Sequence, residues 1–360
     1  MLEALTLQLR ARTSLTEEQA AHAVNALLEE SVGVELKAEF LSVLAQKGET
    51  AAELTGFAIA LRSKSIQPPL DAETRAREIL DVCGTGGDRL NTFNISTTVA
   101  LIASAAGVTV AKHGNRAITS QAGSADVLEA LGVRIELAPE SAATMLRDLQ
   151  FAFFFAQKYH PTFKNIAAAR KLCAEHGQRT IFNFLGPLLN PARPSAQLVG
   201  VPRPELCEPM ARVLQAIGVR RGMVVSGEVP GDDADSASPR TSQFLDELST
   251  LGSNTIAEFY QERGFHRSVL SIEQFPLQAV KLTDLCGADK HTNAKIIWQL
   301  LQGEERGPKR DAVLLNSAAA LFVAGKGKTL IDGWELAAEI IDGGKAKDKL
   351  EKLIEASAKL

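Results

Sequence analysis

The sequence predicts an α/β protein: a small N-terminal helical domain plus a large α/β domain with a mainly parallel central sheet and helices on its faces. Three observations predict it. Residues 1–66 carry helical periodicity and no strand pattern. After Pro68 and Pro69, short apolar runs alternate with helical ones, as in strands joined by crossover helices. Three small-residue turns crowd into residues 81–132, each where a strand should end or a helix begin. Ligands with phosphate groups are usually held at such places.

Size and charge set outer limits. The chain has 360 residues and is 45% hydrophobic, enough for a large core and two domains. Its formal net charge of -4 argues against a general nucleic-acid binder, which is usually basic. Cys83, Cys173, Cys207 and Cys286 stand far apart and form no CxxC, so they read as reduced thiols of a cytoplasmic protein. The start, MLEALTLQLRARTSL, lacks a basic segment followed by a long apolar one, so no signal peptide is expected. No uncharged apolar run approaches the ~20 residues a membrane-spanning helix needs, and the chain is expected to be soluble.

Taken in order, Ser14-Leu15-Thr16-Glu17 and Thr50-Ala51-Ala52-Glu53 are capping-box patterns. Between them Leu36, Phe40, Leu41 and Leu44 recur at helical spacing, and Gly48 closes that helix. A domain boundary is expected after residue 69, giving 1–69 and 70–360. Strands are expected at 79–83, 108–112, 134–137, 151–156, 198–201 and 222–226, with helices at 95–106, 124–131, 141–149 and 204–217 between them. Residues 161–195 interrupt the alternation. Their first part is helical, and the segment 179–191 is too apolar for an exposed loop and too broken by Pro and Gly for a regular element. It is expected to pack between bundle and sheet, joining the helical domain in space. Residues 228–243 (EVPGDDADSASPRTSQ) read as a mobile acidic surface loop. Strands at 255–260 and 266–270, antiparallel, and helices at 293–301, 311–324, 331–341 and 346–358 complete the chain.

The chemistry concentrates in a few clusters. Gly84-Thr85-Gly86-Gly87-Asp88 is a turn whose backbone N–H groups can face an anion; Asp88 suits a sugar hydroxyl or a hydrated metal. As a lone glycine turn it is as well explained by tight strand-to-helix packing. Thr92, Asn94, Ser96 and Thr97, around Ile95, crowd donors at the start of the next helix, which is what a diphosphate needs, although Asn94 or Ser96 also serves as a simple cap. Ser96 also suits Mg2+ through its hydroxyl. Lys112-His113-Gly114-Asn115-Arg116 puts cations at a strand's carboxyl end: Lys112 as a point charge, Arg116 as a bidentate grip, His113 alone more often structural. Ser120, Gly123 and Ser124 form another hydroxyl-bearing turn. Asp246-Glu247 suits a hydrated Mg2+, though such pairs are commonly surface charge; Asp232, Asp233 and Asp235 read as solvated loop. Arg170 has helical spacing from Phe163 and Ile166, so it faces inward or between domains and needs an anion, a carboxylate bridge being the plain alternative. Dinucleotide, P-loop, zincin and serine-hydrolase motifs are absent.

These strings together resemble the anthranilate phosphoribosyltransferase family. Gly84-Thr85-Gly86-Gly87-Asp88, Thr92-Phe93-Asn94-Ile95-Ser96-Thr97 and Lys112-His113-Gly114-Asn115-Arg116 are similar to its first signature, and residues 179–191 (RTIFNFLGPLLNP) to a second. Asp246-Glu247-Leu248-Ser249 and residues 311–316 (DAVLLN) continue the match in order. The resemblance spans nearly the whole chain. It implies transfer of ribose 5-phosphate from phosphoribosyl diphosphate (PRPP) to the amine of anthranilate in tryptophan synthesis. It also implies Mg2+, a helical plus α/β fold, and a homodimer formed through the helical domains. By matching positions, PRPP would be held by Gly84, Gly87, Asp88, Thr92, Asn94, Ile95, Ser96, Thr97, Lys112, His113, Gly114, Asn115, Arg116, Ser120 and Ser124. Magnesium would be held by Ser96, Asp246 and Glu247, and anthranilate by Gly84, Asn115 and Arg170; Lys112 and Arg170 would be the catalytic pair. The chain departs from the pattern at Ser226, where the family usually has histidine, and in the loop at 228–243, which looks inserted.

Two other readings share parts of this evidence. A pyrimidine nucleoside phosphorylase has the same fold but uses inorganic phosphate and a nucleoside; the strings at 92–97 and 112–116 match the transferase instead. A non-catalytic relative that binds nucleic acid should be basic and should have lost the PRPP signature. This chain is mildly acidic and keeps it.

Overall fold

The structure is a computed structural model and describes residues 1–117, 121–231, 242–261 and 263–360. Four helices, Leu2–Arg10, Glu17–Leu28, Val34–Lys47 and Ala51–Ser63, open the chain. Gly48, with φ +86°, ends the third, in the left-handed region that glycine tolerates. The second starts two residues later than the sequence suggests. Thr16, not Ser14, is its cap: the Gln19 N–H donates to the Thr16 hydroxyl and the Gln19 side chain accepts from the Thr16 N–H.

The cap of the fourth helix does more. Glu53 is fully buried, and its carboxylate accepts from the Thr50 N–H (2.9 Å), the Thr50 hydroxyl (3.0 Å), the Leu15 N–H (2.9 Å) and the Lys47 ammonium (2.8 Å). One side chain thereby ties the ends of three helices together.

An eight-stranded sheet follows: β1 (Ile79–Gly84), β2 (Thr109–Gly114), β3 (Phe151–Phe155), β4 (Ala196–Gly200), β5 (Arg221–Val229), β6 (Gln243–Leu245), β7 (Asn254–Tyr260) and β8 (Gly264–Leu270). Their order is β3-β2-β1-β4-β5-β7-β8, with β6 pairing β5. The first five run parallel, and β6, β7 and β8 are antiparallel. The chain leaves β1 toward β2 and β3, then returns to β4 on the other side. β1 is therefore a switch point, where open α/β sheets bind ligands outside the strands' carboxyl ends.

Both faces of the sheet are covered, which explains the continuous apolar strands. Along β4 and β5, Leu198, Met223 and Val225 enter one core with the helices Ile95–Ala105, Pro308–Val323 and Leu330–Asp342. Val199 and Val224 enter a second core on the opposite face, with Cys207–Ala216 and the N-terminal bundle. Ile166, Ile181, Leu185, Leu188 and Leu189 lie in that second core, so 161–195 packs between bundle and sheet.

The expected strand at 134–137 does not form. Val133, Ile135 and Leu137 are buried and Arg134 and Glu136 exposed, so the alternation is real. Among the described residues no strand pairs with it, and the Arg134 N–H donates instead to Ser357 Oγ on the last helix (3.0 Å). Part of the acidic loop, 232–241, with Asp232, Asp233 and Asp235, lies outside the described residues.

Burial pushes the Glu53 pKa up, but the Lys47 ammonium and the three other donors outweigh it and the net shift is downward from 4.5. A depressed carboxylate stabilises above its unfolded pKa. This contribution should be complete above about pH 5 and drain away as the solution is acidified through the folded value. Glu53→Gln should remove the pH dependence and cost about 3 kcal/mol in urea unfolding at pH 7, because Lys47 is left buried and unpaired.

Candidate active site

β1, β2 and β4 each end on a glycine, and a cavity of about 260 Å3 opens beyond the ends of β1 and β2. Gly84, Gly87 and Asp88 of the first turn line it, with Thr92, Asn94, Ile95, Ser96 and Thr97 from the start of the next helix. Lys112, His113, Gly114 and Asn115 line it from the end of β2, Ser124 from the helix Ser124–Ala130, and Asp246 and Glu247 from the segment after β6. Residues separated by more than 160 positions are thus gathered on one concave surface. Ser120 lies outside the described residues.

Asp246 reaches this surface through a gap left by two glycines. Gly84 and Gly200 are paired in register across β1 and β4. A methyl group on Gly200 would overlap the Asp246 carbonyl, and one on Gly84 would overlap its carboxylate. Asp246 Oδ2 accepts from the Gly86 N–H (2.7 Å), and Glu247 Oε1 accepts from the Ser96 N–H (3.2 Å) at the helix start. Asn316, fully buried, clamps the next residue by accepting from the Leu248 N–H (2.9 Å) and donating to the Leu248 carbonyl (2.9 Å). Burial raises the pKa of both carboxyls, and Asp88 adds like-charge repulsion to each.

Lys112 is 1% exposed. Its ammonium donates to the Val82 carbonyl (2.7 Å) and, at 3.5 Å, to Ser96 Oγ. Burial lowers its pKa, and the charges of Asp81, Cys83 and Glu247 oppose that shift. Asp81 has no role in the sequence-based assignment and turns out to be central. It is fully buried in β1, where it accepts from Asn190 Nδ2 (2.8 Å) and the His113 N–H (3.3 Å). Burial pushes its pKa up to about 6, against the pull of Lys112. The available signal was one acidic residue inside an apolar strand, which is seldom buried without partners.

His113 lines the cavity but is not a cation, in keeping with the structural role a lone histidine more often has. Burial drives its pKa down to about 3, with His160 next to it, ring centroids 5.4 Å apart. Arg116 turns away from the cavity wall. It pairs with Asp126 (3.1 Å) and Glu129 (3.0 Å) and lies over the Phe155 ring (5.6 Å). Asp126 also accepts from the Ala117 and Gly123 N–H groups, which ties down both sides of this loop.

Arg170 is outside the cavity wall as well. It sits on the helix Lys164–Glu175, half-buried, with its guanidinium 5.3 Å from the Phe182 ring centre. Among the described residues it makes no hydrogen bond or ion pair, so the bridge to a carboxylate is not formed. A row of rings leads back to the cavity: Phe182 to Phe163 (5.8 Å), Phe163 to His160 (5.0 Å), and His160 to His113. Arg179 was also missed as a site neighbour: it donates to the Gly87 carbonyl (3.2 Å) and so fixes the glycine turn.

Bundle, switch-point sheet and phosphate-suited cavity define a glycosyl transferase. Residues 4–65 match the glycosyl transferase family's helical bundle domain, and residues 76–347 match its a/b domain. The chain is 43% identical over 342 residues to the anthranilate phosphoribosyltransferase of Petrotoga mobilis, covering 95% of this chain and 93% of that one. The crystal structure of the enzyme of that name from Thermus thermophilus superposes with a TM-score of 0.84 at 38% identity, over 98% of this chain and 99% of that one. The Saccharomyces cerevisiae enzyme in complex with PRPP and Mg also superposes with a TM-score of 0.84, at 25% identity, over 100% and 98%. The chain belongs to the anthranilate phosphoribosyltransferase family.

The two glycines at the gap should respond differently to substitution. Gly84→Ala overlaps the Asp246 carboxylate and comes no nearer than 3.0 Å to its backbone carbonyl, so the melting temperature should hold within a few degrees while kcat/KM falls by about 100-fold, the usual result of misplacing a functional group by about 1 Å. Gly200→Ala drives backbone against backbone and should lower both. Calorimetric melts alongside steady-state kinetics separate the two, and equal melting points would contradict the packing described.

Proposed function

We propose that the chain transfers the 5-phosphoribosyl group of PRPP to the amino nitrogen of anthranilate, releasing diphosphate, as its family does in tryptophan biosynthesis. The observation that carries this reading is the meeting of a glycine turn, a helix start, a buried lysine and an acidic pair around one cavity. Motif positions assign the donor to Gly84, Gly87, Asp88, Thr92, the run 94–97, the run 112–116, Ser120 and Ser124. Gly84, Asn115 and Arg170 go to the acceptor.

Magnesium fits the donor set. Asp246 and Glu247 repel each other and Asp88, which a cation relieves, and the Ser96 hydroxyl is beside them. Among the described residues no three His, Cys, Asp or Glu side chains form a cage for a metal. That suits Mg2+, which keeps water and substrate phosphate as ligands. When bound, it supplies positive charge to the departing diphosphate.

The protein's own groups do the rest. As the bond from ribose to diphosphate breaks, charge grows on the leaving oxygens, and Lys112 with the N–H groups of the helix start stabilises it without reorganising. An arylamine is already nucleophilic, so the site needs no strong base. Arg170 supplies an unpaired guanidinium for the anthranilate carboxylate, which aims the amine at the anomeric carbon. We assign the two-domain division to 1–69 and 70–360, which the bundle's inclusion in the second core with 161–195 supports. The same reading gives a homodimer through the helical domains. Among the described residues no helix is long and apolar enough to cross a membrane.

Mixing the protein with PRPP, Mg2+ and anthranilate should quench anthranilate fluorescence; no quenching at high enzyme concentration would sink the assignment. Arg170→Gln should raise the anthranilate KM by about 10- to 100-fold, the worth of a charge-assisted contact, and leave the PRPP KM nearly unchanged. Equal rises in both would remove Arg170 from the acceptor site.

A further inference from the structure

We propose that Arg89 is a binding residue for the diphosphate of the donor, presented by a strained turn that the surrounding structure pins in place. This rests on the donor reading above and adds a cation that the family motif does not assign.

The turn after Gly87 has an unusual backbone. Arg89 (φ 61°) and Asn91 (φ 54°) both adopt the left-handed conformation although neither is glycine. Such residues persist only where their neighbours over-determine them, and they cluster at functional sites. The neighbours here are explicit. Asp88 Oδ1 accepts from the Leu90 N–H (3.2 Å). Leu90, between the two strained residues, is buried in a small apolar cluster with Val229 and Leu245. The Gly287 N–H donates to the Asn91 carbonyl (2.8 Å), and the Phe93 N–H donates to the Leu285 carbonyl (3.0 Å). The turn is therefore held from both sides of Leu90, and its alternative conformations are closed off.

Arg89, though exposed, lines the same cavity as Gly86, Gly87 and Asp88. Among the described residues its guanidinium makes no hydrogen bond and no ion pair. Of the other cations nearby, Arg116 is paired with Asp126 and Glu129, Arg179 donates to the Gly87 carbonyl, and Lys112, at the end of β2, is the one charge already assigned to the diphosphate. Asp88, Asp246 and Glu247 place three carboxyl groups on the glycine-turn side of the cavity. A diphosphate entering there needs a further opposing charge from the chain besides Lys112, and among the described residues Arg89 is the unpaired one at the wall.

Arg89→Gly tests this cleanly, because glycine accepts the left-handed backbone without strain; its melting temperature should equal or exceed that of the wild type. Titration calorimetry with inorganic diphosphate and Mg2+ should show about tenfold weaker binding for R89G at low salt. That gap should narrow to about twofold at 0.5 M salt. R89K should fall between. Ribose 5-phosphate should bind wild type and R89G alike, and in turnover the PRPP KM should rise while the anthranilate KM stays within about twofold. Unchanged diphosphate affinity in R89G overturns the proposal, and so does a loss confined to ribose 5-phosphate. If the wild type fails to turn over PRPP, the transferase reading falls, but the diphosphate titration still decides Arg89.

Discussion

The site depends on one steric allowance: the absence of side chains on Gly84 and Gly200, paired in register at the ends of β1 and β4. Any larger residue on β4 would meet the backbone of Asp246. Because the gap exists, a segment that follows β6 in sequence crosses the switch point of the parallel sheet and delivers two carboxylates to the turn after β1. The contacts that then hold it come from three places: the Gly86 N–H, the Ser96 N–H at a helix start, and Asn316 on the helix Pro308–Val323. The site is consequently a product of topology as much as of motif, since none of these partners is near another in sequence.

Charge inside the sheet follows from the same geometry. Lys112 and Asp81 lie on neighbouring strands, both removed from water. Each form alone would be costly to bury, and each shifts toward neutrality for that reason. Their mutual attraction opposes both shifts. Asn190, from the second signature, completes the arrangement by donating to Asp81 and to the Ala111 carbonyl (2.7 Å). This gives that signature a physical reason: it joins β1 to β2 from outside the sheet while its apolar residues fill the second core.

Most of the fold was legible because local pattern and tertiary need agree. Apolar runs bounded by glycine became the parallel strands, and antiparallel β7 and β8 formed where expected. The segment 134–137 shows where that agreement ends, since its alternation records burial of Val133, Ile135 and Leu137 but cannot record the absence of a neighbouring strand. The donor turns were legible as small-residue clusters at strand ends. The direction of individual cations was not. Arg116 faces away because Glu129, on the next helix, lies within 3.0 Å; Arg89 faces the cavity because Leu90 is buried elsewhere. Both outcomes depend on partners that spacing alone does not reveal.

Arg170 does not line the cavity, and a row of rings stands between the two. Arg170 is held on a helix that packs against the bundle, with its guanidinium carbon 5.3 Å from the Phe182 ring centre. Phe163, His160 and His113 continue that row to the cavity, and His113 is kept neutral by its burial. These rings are largely buried and meet at steep angles, 84° between Phe163 and Phe182 and 69° between His113 and His160, so they form a packed wall between the Arg170 guanidinium and the lysine-bearing pocket. On the proposed assignment, an acceptor without a carboxylate would gain nothing from Arg170. Selectivity for the acceptor would then come from the segment 161–195 and its packing on the bundle, and the grip on the donor from the ends of the sheet strands.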